Sequence, residues 1–486
     1  MTDKSLKAKA FNGMIWNAVE TFGLQAGQFV IGIVLARLLT PSDYGMVGML
    51  AIFIALSKAF TDSGMGSALI QKRDRTENDY STVFVFNFFV SVLFYLLLFF
   101  SAPLIASFYD MPQLVILTRV LSINIVINSL SLVQNARFTI NLDFKSKAKV
   151  SGAAVLISGI VAIIIAFIGF GVWALVFQVI IRAIVSVIML WYISSWMPSI
   201  RFSKASFKRL FSFGSKILGA SLLATTFNNL YKIVIGKAFS AKELGYYSQA
   251  MNIAELTSGS ITGILQKVTY PILSSLQDDK DRMVSVYKKL IGMTTFFVFP
   301  AMVLLSLLSE SFILLFLGEK WESTIVLLQW LCFARIIRPV SALNMNILNA
   351  MGRSDLFLKV DISKMPLSII ALVVTVPIGV KAMVIGHVVT SFIAFFINAY
   401  FPGKFFNYGA FSQIRDMAKV ILSVCLMAIS VYVVLQLFEA NALKFFLGGI
   451  VGVVSYLGLA FLLKMEETRE VVSLLKMVKA KFIKQN

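Results

Sequence analysis

Two arginines interrupt an apolar stretch of the sequence at neighbouring positions. Arg335 and Arg338 lie three residues apart in the run 322–349, and Pro339 follows directly. Residues at this spacing share one face of a helix, and a guanidinium can bind two phosphate or carboxylate oxygens at once. A proline here can bend the helix and free backbone groups that line a cavity. The pattern predicts either an anion-binding point or an anchoring ion pair with an acid of a neighbouring helix.

Three other basic residues interrupt apolar runs: Arg182, Arg119 and Lys58. A charge in the middle of a bilayer costs about 2.5–3.5 kcal/mol on insertion scales, so each one requires a compensating environment. Arg182 has no acid within a turn of its own helix, which favours a cavity. Arg119 is a turn or two from the end of its run and can snorkel outward. Lys58 is four residues from Asp62, a spacing that favours a local ion pair.

The composition is that of a membrane protein. Of 486 residues, 58% are hydrophobic and only 14% are charged, against about 25% in soluble domains, and the mean hydropathy is +0.85. The apolar runs are long enough as helices to cross a hydrocarbon layer of about 30 Å. The net charge of +20 lies mostly in short loops between the runs, which indicates contact with anionic lipids rather than nucleic acid.

The runs predict an all-α polytopic protein with fourteen transmembrane helices. We expect them at about 12–38, 43–68, 80–107, 113–136, 147–168, 171–194, 213–236, 241–275, 287–316, 322–349, 357–379, 380–400, 414–437 and 441–464. With both termini in the cytoplasm, the cytoplasmic segments carry 32 of the 44 Lys and Arg residues and the outer segments carry 7. This bias is the one that cytoplasmic loops show.

The sequence also repeats itself weakly. Residues 37–45 correspond to 237–245, and Asn135-Ala136 corresponds to Asn349-Ala350. Since six predicted spans separate the copies, the repeat is parallel, as in many alternating-access transporters. We therefore predict two six-helix lobes and a C-terminal extension, with bounds at 1–200, 201–405, 406–465 for two extra transmembrane helices, and 466–486 for an amphipathic tail on the cytoplasmic membrane surface.

Enzymatic and metal-dependent functions find little support. No cluster of His, Asp or Glu forms an acid/base constellation, and the predicted outer loops are too short to hold one. The two cysteines, Cys332 and Cys425, lie in separate apolar runs and do not suggest a metal site or a disulfide framework. We expect no catalytic residues, no metal and no cofactor.

Six stretches of the sequence resemble one family of membrane proteins. In order along nearly the whole chain, they are Leu35–Gly45, Asp62–Lys72, Gly169–Val176, Phe227–Lys232, Glu243–Gln249 and Gly352–Lys359. They are similar to the Wzx-type polysaccharide and O-antigen flippases, in the branch of colanic-acid and lipopolysaccharide exporters. That family belongs to the multidrug/oligosaccharidyl-lipid/polysaccharide exporter superfamily.

The resemblance implies a substrate and a location. The substrate would be an oligosaccharide repeat unit on undecaprenyl pyrophosphate, moved from the inner to the outer leaflet of a bacterial inner membrane for surface polysaccharide synthesis. Polysaccharide polymerases and glycosyltransferases would then act beside it. The alternatives are a peptidoglycan-precursor or multidrug exporter of the same superfamily or, in another class, a membrane polysaccharide polymerase or ligase.

Transport of such a substrate assigns roles to the embedded polar residues. The candidates for the substrate path are Arg182, Arg335, Arg338, Arg119, Lys58, Asn228 and Asn229, the asparagines through sugar hydroxyls unless they bind helix to helix. Coupling to Na⁺ or H⁺ requires a carboxylate that binds the ion in one state and releases it in another. The candidates are Glu20, Glu255 and Asp62. For Glu20 and Glu255 the alternative is a salt bridge to one of the arginines.

Overall fold

The computed structural model describes residues 23–194, 196–199, 201–277 and 279–471. Within these ranges the chain is almost entirely helical and contains no β-strand, so the predicted all-α class is confirmed. By its internal contacts the chain divides into two compact units, Met1–Ser248 and Gln249–Asn486. The boundary lies inside one long helix.

The first unit, in its described part, contains ten helices and the beginning of an eleventh. They are α1 (Gly23–Leu38), α2 (Pro41–Asp62), α3 (Met65–Gln71), α4 (Glu77–Phe108), α5 (Leu114–Leu121), α6 (Ile123–Ser129), α7 (Leu132–Ile140), α8 (Phe144–Phe167), α9 (Trp173–Ile193), α10 (Lys204–Ala238) and α11 (Ala241–Ser274).

The second unit continues α11 and adds nine α-helices up to residue 462. They are α12 (Lys280–Leu307), α13 (Ser309–Phe312), α14 (Ser323–Ile336), α15 (Arg338–Ala350), α16 (Ser354–Ser363), α17 (Met365–Thr375), α18 (Val380–Phe406), α19 (Ala410–Leu437) and α20 (Asn441–Leu462). A π-helical turn at Ile313–Leu317 and a 3-10 turn at Glu319–Trp321 connect α13 to α14.

Local capping signals start the two helices that lie at matching positions of the repeat. At α2, the Thr40 hydroxyl accepts from the Asp43 backbone N–H at 3.3 Å, and the Asp43 carboxylate accepts from the Thr40 N–H at 2.8 Å. At α11, the Ser240 hydroxyl accepts from the Glu243 N–H at 3.1 Å. The first N–H groups of a helix have no partner within it, so such residues determine where α2 and α11 begin.

The regular helical pattern is interrupted inside several of the predicted spans. The segment predicted at 322–349 divides at Ile337, next to Pro339, and the segment at 357–379 divides at Lys364, next to Pro366. Proline lacks the N–H that would continue the ladder. The segment at 113–136 divides into α5, α6 and α7 without a proline. There the hydroxyls of Ser122 and Ser131 donate to backbone carbonyls three residues earlier, and such bonds compete with the helical pattern.

By length and composition, ten helical segments in the described ranges can cross a membrane. In this count Pro41–Gln71 (α2 with α3) and Ser323–Ala350 (α14 with α15) are one segment each. An eleventh span is present if the pair Leu114–Ser129 and Leu132–Ile140, bent by 40°, is one span. The other three predicted spans coincide with α1, which is described only from Gly23, with α11, and with the pair α16–α17. The count of fourteen and the orientation of the termini therefore stay predictions.

A buried polar cluster attaches the C-terminal helices to the second unit. Gln413 of α19 donates to the side-chain oxygen of Asn344 at 3.0 Å and to the Tyr287 hydroxyl at 3.3 Å, and the Tyr287 hydroxyl donates to Asn344. All three residues are fully buried. In α20, Tyr456 donates to the carbonyl of Phe296 at 2.8 Å. Helix α12 thus holds both α19 and α20.

Large apolar side chains cover much of the outer surface. Phe100, Phe167 and Leu462 are 73%, 80% and 78% exposed, and many other aromatic and aliphatic residues on the long helices are similar. Soluble monomers rarely expose apolar patches of this extent. Together with the long apolar helices, this surface establishes a multi-span membrane protein.

Candidate functional site

Arg335 and Arg338 both contact Glu255 of α11. Nη1 of Arg338 donates to both carboxylate oxygens of Glu255, and Nε of Arg335 lies 3.5 Å from Oε2. Arg335 also places Nη2 2.9 Å from the sulfur of Met251. The sequence assigned these arginines to anion binding and Glu255 to ion coupling. The structure joins all three in one cluster of salt bridges. A salt bridge was the alternative that the sequence left open for each of these residues.

This cluster is positive and partly open. Two guanidinium groups around one carboxylate leave one positive charge uncompensated within the cluster. The exposed fractions of the side chains are 43% for Arg338, 39% for Glu255 and 18% for Arg335. Exposed ion pairs contribute only about 0–1 kcal/mol, so a second anion can compete with Glu255 for the arginines.

The two arginines line a cleft of about 510 Å³ in the second unit. We call it the second-unit cleft. Its walls come from α14, α15, α16 and α18, and its polar side chains are Arg335, Arg338, Ser341, Asn346, Asn349, Asp361, Lys364, Ser391 and Asn398. A volume in this range is typical of sites for small ligands. The break at Ile337 lies between the two arginines.

A second charged group lies in the wall of the same cleft. The ammonium of Lys364 is 2.6 Å from an oxygen of Asp361 and 2.9 Å from the side-chain oxygen of Asn398. Sequence reasoning missed these residues because Lys364 was counted among the cytoplasmic charges. The spacing of three between Asp361 and Lys364 was the available signal, since it places both on one helix face.

A separate cleft of about 340 Å³ lies in the first unit. We call it the first-unit cleft. Lys58 and Asp62 of α2 line it together with Ser67 of α3 and one face of α6 and α7. The polar residues of that face are Asn128, Ser131, Asn135 and Thr139. Sequence reasoning missed this face, although steps of three and four residues are the helical signature.

The predicted pairing of Lys58 and Asp62 takes the form of an electrostatic interaction without a direct salt bridge. The described residues contain no nitrogen–oxygen contact of 4.0 Å or less between them, and both side chains are exposed to the first-unit cleft. Spacing alone brings two side chains to the same face of a helix. An exposed pair gains too little energy to hold two long side chains together when water or a ligand can solvate each charge.

The other two embedded arginines have partners on neighbouring helices. In the amide orientation that satisfies both groups, Gln28 of α1 accepts from both terminal nitrogens of Arg182, each at 2.8 Å. Nε of Arg119 donates to the carbonyl of Phe99 at 3.3 Å, and its guanidinium lies 4.5 Å from the centre of the Phe99 ring. Arg119 thus joins α5 to α4. Neither arginine lines the two clefts described above.

The remaining candidates are placed outside both clefts or outside the described residues. Asn229 donates to the Thr225 carbonyl at 2.9 Å along its own helix, α10, and Asn228 is exposed on the same helix. Glu20 lies outside the residues that the structure describes. Over the described ranges, no group of three or more His, Cys, Asp or Glu residues is arranged to hold a metal ion.

Comparison with known proteins identifies the family. Residues 34–326, more than half of the chain, match the family described as "Polysaccharide biosynthesis protein". The chain belongs to the polysaccharide biosynthesis protein family. The relationship predicted from the six sequence stretches is thereby confirmed.

Within this family, the chain is similar to proteins with named roles. It is 28% identical to the teichuronic acid biosynthesis protein TuaB of Bacillus subtilis, over 72% of this chain and 73% of that protein. It is 25% identical to the lipopolysaccharide biosynthesis protein WzxC of Escherichia coli, over 76% of each chain. Among solved structures, the lipid II flippase MurJ in an inward closed conformation has a TM-score of 0.76 at 18% identity, covering 94% of this chain and 100% of that chain. At this identity the likeness shows a shared fold.

Proposed function

We propose that this protein is a transporter that moves a lipid-linked oligosaccharide from the inner to the outer leaflet of a bacterial cell membrane, with undecaprenyl pyrophosphate as the carrier. The observation that carries this proposal is the Glu255–Arg335–Arg338 cluster, which borders a polar cleft in an otherwise apolar helical protein. Membership of the polysaccharide biosynthesis protein family supports the carbohydrate part of the substrate. Names of relatives such as WzxC support synthesis of a surface polysaccharide.

The cluster suits a pyrophosphate for an electrostatic reason. A guanidinium presents its donors in a planar fork that matches two phosphate oxygens. Arg338 is 43% exposed, so its donors can turn from Glu255 toward a ligand in the cleft. The lipid tail can remain in the bilayer, because only the charged and hydroxylated part of the substrate requires a polar path.

Glu255 provides a mechanism for coupling. Without substrate, its carboxylate neutralises part of the arginine charge, which would otherwise be costly at membrane depth. A pyrophosphate and the Glu255 carboxylate compete for the same two arginines, so substrate binding exposes the carboxylate to a coupling ion. Binding of the substrate and binding of the coupling ion are then linked through one side chain.

The decisive experiment is transport by the purified protein in vesicles. Radiolabelled lipid-linked oligosaccharide would be placed in one leaflet, and the fraction in the other leaflet measured by oxidation with membrane-impermeant periodate. We expect movement that requires the protein and responds to an imposed Na⁺ or pH gradient. Absence of movement, with correctly folded protein, contradicts the proposal.

The same vesicles test the alternatives. The fold shared with MurJ makes lipid II the matched competing substrate, and faster movement of lipid II than of the oligosaccharide lipid would change the assignment. Appearance of longer glycan chains would indicate a polymerase. In cells, deletion of the gene should abolish a surface polysaccharide and leave its lipid-linked units in the inner leaflet.

A further inference from the structure

The first-unit cleft has a polar wall with a regular pattern. Asn124, Asn128, Ser131, Asn135 and Thr139 follow one another at steps of four, three, four and four residues along α6 and α7. These steps place them on one face, and all but Asn124 line the cleft itself. Asn124 lines a narrow extension of about 20 Å³ beside Lys58 and Asp62.

Hydrogen bonds within this wall use the amide nitrogens of Asn128 and Asn135 as donors. The amide nitrogen of Asn128 donates to the carbonyl and side-chain oxygens of Asn124, each at 2.7 Å. The amide nitrogen of Asn135 donates to the carbonyl of Ser131 at 3.0 Å. Within the described part of the chain, no donor reaches the side-chain oxygens of Asn128 and Asn135.

The opposite wall contributes two charged groups of opposite sign. Asp62 adds a carboxylate and Lys58 adds an ammonium. Among the described residues, neither group has a hydrogen bond or a salt bridge of 4.0 Å or less. Ser67 is exposed beside them. The two charges cancel, so the cleft has no net charge to attract an anion, and its free polar atoms are mainly oxygens that require hydrogen-bond donors from a ligand.

The corresponding stretch of the second unit differs in one respect. Asn135 corresponds to Asn349 in the repeat, and at the same offset Asn124 corresponds to Arg338 and Leu121 to Arg335 in the sequence. The second-unit cleft therefore has guanidinium groups where the first-unit stretch has an amide and a leucine. The second-unit cleft thus combines guanidinium groups with amide and hydroxyl side chains, whereas the first-unit cleft has amide and hydroxyl side chains without a guanidinium.

From these observations we infer that the first-unit cleft is a carbohydrate-binding subsite. Hydroxyl groups of the sugar donate to the free oxygens of Asn128, Asn135 and Asp62, and the Lys58 ammonium donates to a hydroxyl or ring oxygen. A phosphate is a poor ligand here, because the Asp62 carboxylate repels it and the side-chain oxygens of Asn128 and Asn135 cannot donate to it. A metal cation is disfavoured because the Lys58 ammonium already occupies the same cleft. This inference rests on the proposed function.

Thiol protection tests the subsite directly. Single cysteines would be introduced as Ser67→Cys in the first-unit cleft and Ser391→Cys in the second-unit cleft, in full-length protein whose two native cysteines are replaced by alanine. The rate of labelling by a charged maleimide is then measured with three probes. They are undecaprenyl pyrophosphate, the lipid-linked oligosaccharide fraction extracted from the bacterium, and the free oligosaccharide released from it by mild acid.

We expect the oligosaccharide lipid to slow labelling at both positions several-fold. Undecaprenyl pyrophosphate should slow labelling only at Ser391→Cys, and the free oligosaccharide only at Ser67→Cys. Equal protection of Ser67→Cys by the bare carrier overturns the subsite, as does protection by the oligosaccharide lipid at Ser391→Cys alone. If no probe protects either position, the proposed function fails together with the subsite.

Substitution of the wall provides an independent measurement. Asn128→Leu combined with Asn135→Leu should weaken binding of the oligosaccharide lipid about tenfold, since two hydrogen bonds to a ligand are lost, and leave binding of undecaprenyl pyrophosphate unchanged. The control is Ser430→Ala in α19, a residue that also donates to the carbonyl four residues earlier, at 3.1 Å. Equal loss for both lipids would show that the asparagines serve the fold and not the sugar.

Discussion

Gly45 and Gly245, which match in the sequence repeat, each lie against the first residue of the other's helix. A Cβ atom on Gly45 would be 1.7 Å from the carbonyl oxygen of Ala241, and one on Gly245 would be 1.8 Å from the carbonyl oxygen of Pro41. Both distances are far below van der Waals contact, so only glycine permits this approach of α2 and α11. The glycine that ends each copy of the repeated sequence, 37–45 and 237–245, therefore allows the beginnings of α2 and α11 to pack closely together.

Gly45→Ala should destabilise the protein by about 1–3 kcal/mol, the usual cost of overpacking, because the added methyl group meets backbone that cannot rotate away. Thermal unfolding in detergent measures the effect. Gly219→Ala in α10 is the matched control, since a Cβ atom there has nothing within 4 Å. It should be neutral or stabilise by up to about 1 kcal/mol through helix propensity. Equal midpoints for the two variants would contradict the close approach.

Glu255→Gln should separate substrate binding from ion coupling. Removal of the carboxylate ends its competition for the two arginines, so the lipid pyrophosphate should bind at least as tightly as in the wild type. Transport should fall and lose its dependence on the Na⁺ or pH gradient, because the carboxylate that binds the coupling ion is gone. Binding and vesicle transport would be measured on the same preparation. Transport that keeps its gradient dependence would remove Glu255 from the coupling step.

Arg338→Lys should reduce affinity for undecaprenyl pyrophosphate about fivefold to tenfold, although the charge is kept, because an ammonium lacks the planar fork. Arg338→Gln should reduce it further. Isothermal titration with the carrier lipid in detergent measures both. Arg353→Lys is the control, since Arg353 also forms a bidentate pair, with Asp355 at 2.9 Å, but on the exposed turn between α15 and α16. A similar loss in this control would point to a general charge effect.

The ion pair between Arg353 and Asp355 gives a prediction about the pH dependence of stability. The hydrogen bond from Arg353 holds the pKa of the Asp355 carboxyl at about 2, below its ordinary value. A lowered pKa means that the ionised form stabilises the fold above the unfolded-state pKa and that this contribution is lost as the pH falls toward 2. Unfolding midpoints of Asp355→Asn and the wild type should differ by the same small amount from pH 5 to pH 8. A difference that changes across this range would contradict the assignment.

Gln413→Leu should destabilise the protein by about 1–3 kcal/mol, because it leaves the buried hydroxyl of Tyr287 and the amide of Asn344 with fewer partners. Limited proteolysis should then cut first near the start of α19. Tyr432→Phe is a suitable control, since Tyr432 is 58% exposed on the same helix. If the two variants unfold alike, the polar cluster does not attach α19.

The sequence alone determined the helical class, the membrane environment and the family. Long apolar runs leave the backbone no alternative to helix in lipid, and the six stretches that resemble Wzx-type flippases were sufficient to place the chain correctly. The pair Arg335 and Arg338 was also visible, because two residues three apart share a face in any helix.

Only the tertiary structure decided the partners of those residues. Helical spacing is a local property, whereas Glu255 meets Arg338 across 83 positions of the chain, which depends on how α11 packs against α14 and α15. The same limit explains why Lys58 and Asp62, correctly spaced for a direct salt bridge, instead share the first-unit cleft. Ile337 and Ser131, where the helical pattern breaks, line the two clefts, and the clefts form only where separate helices enclose a space.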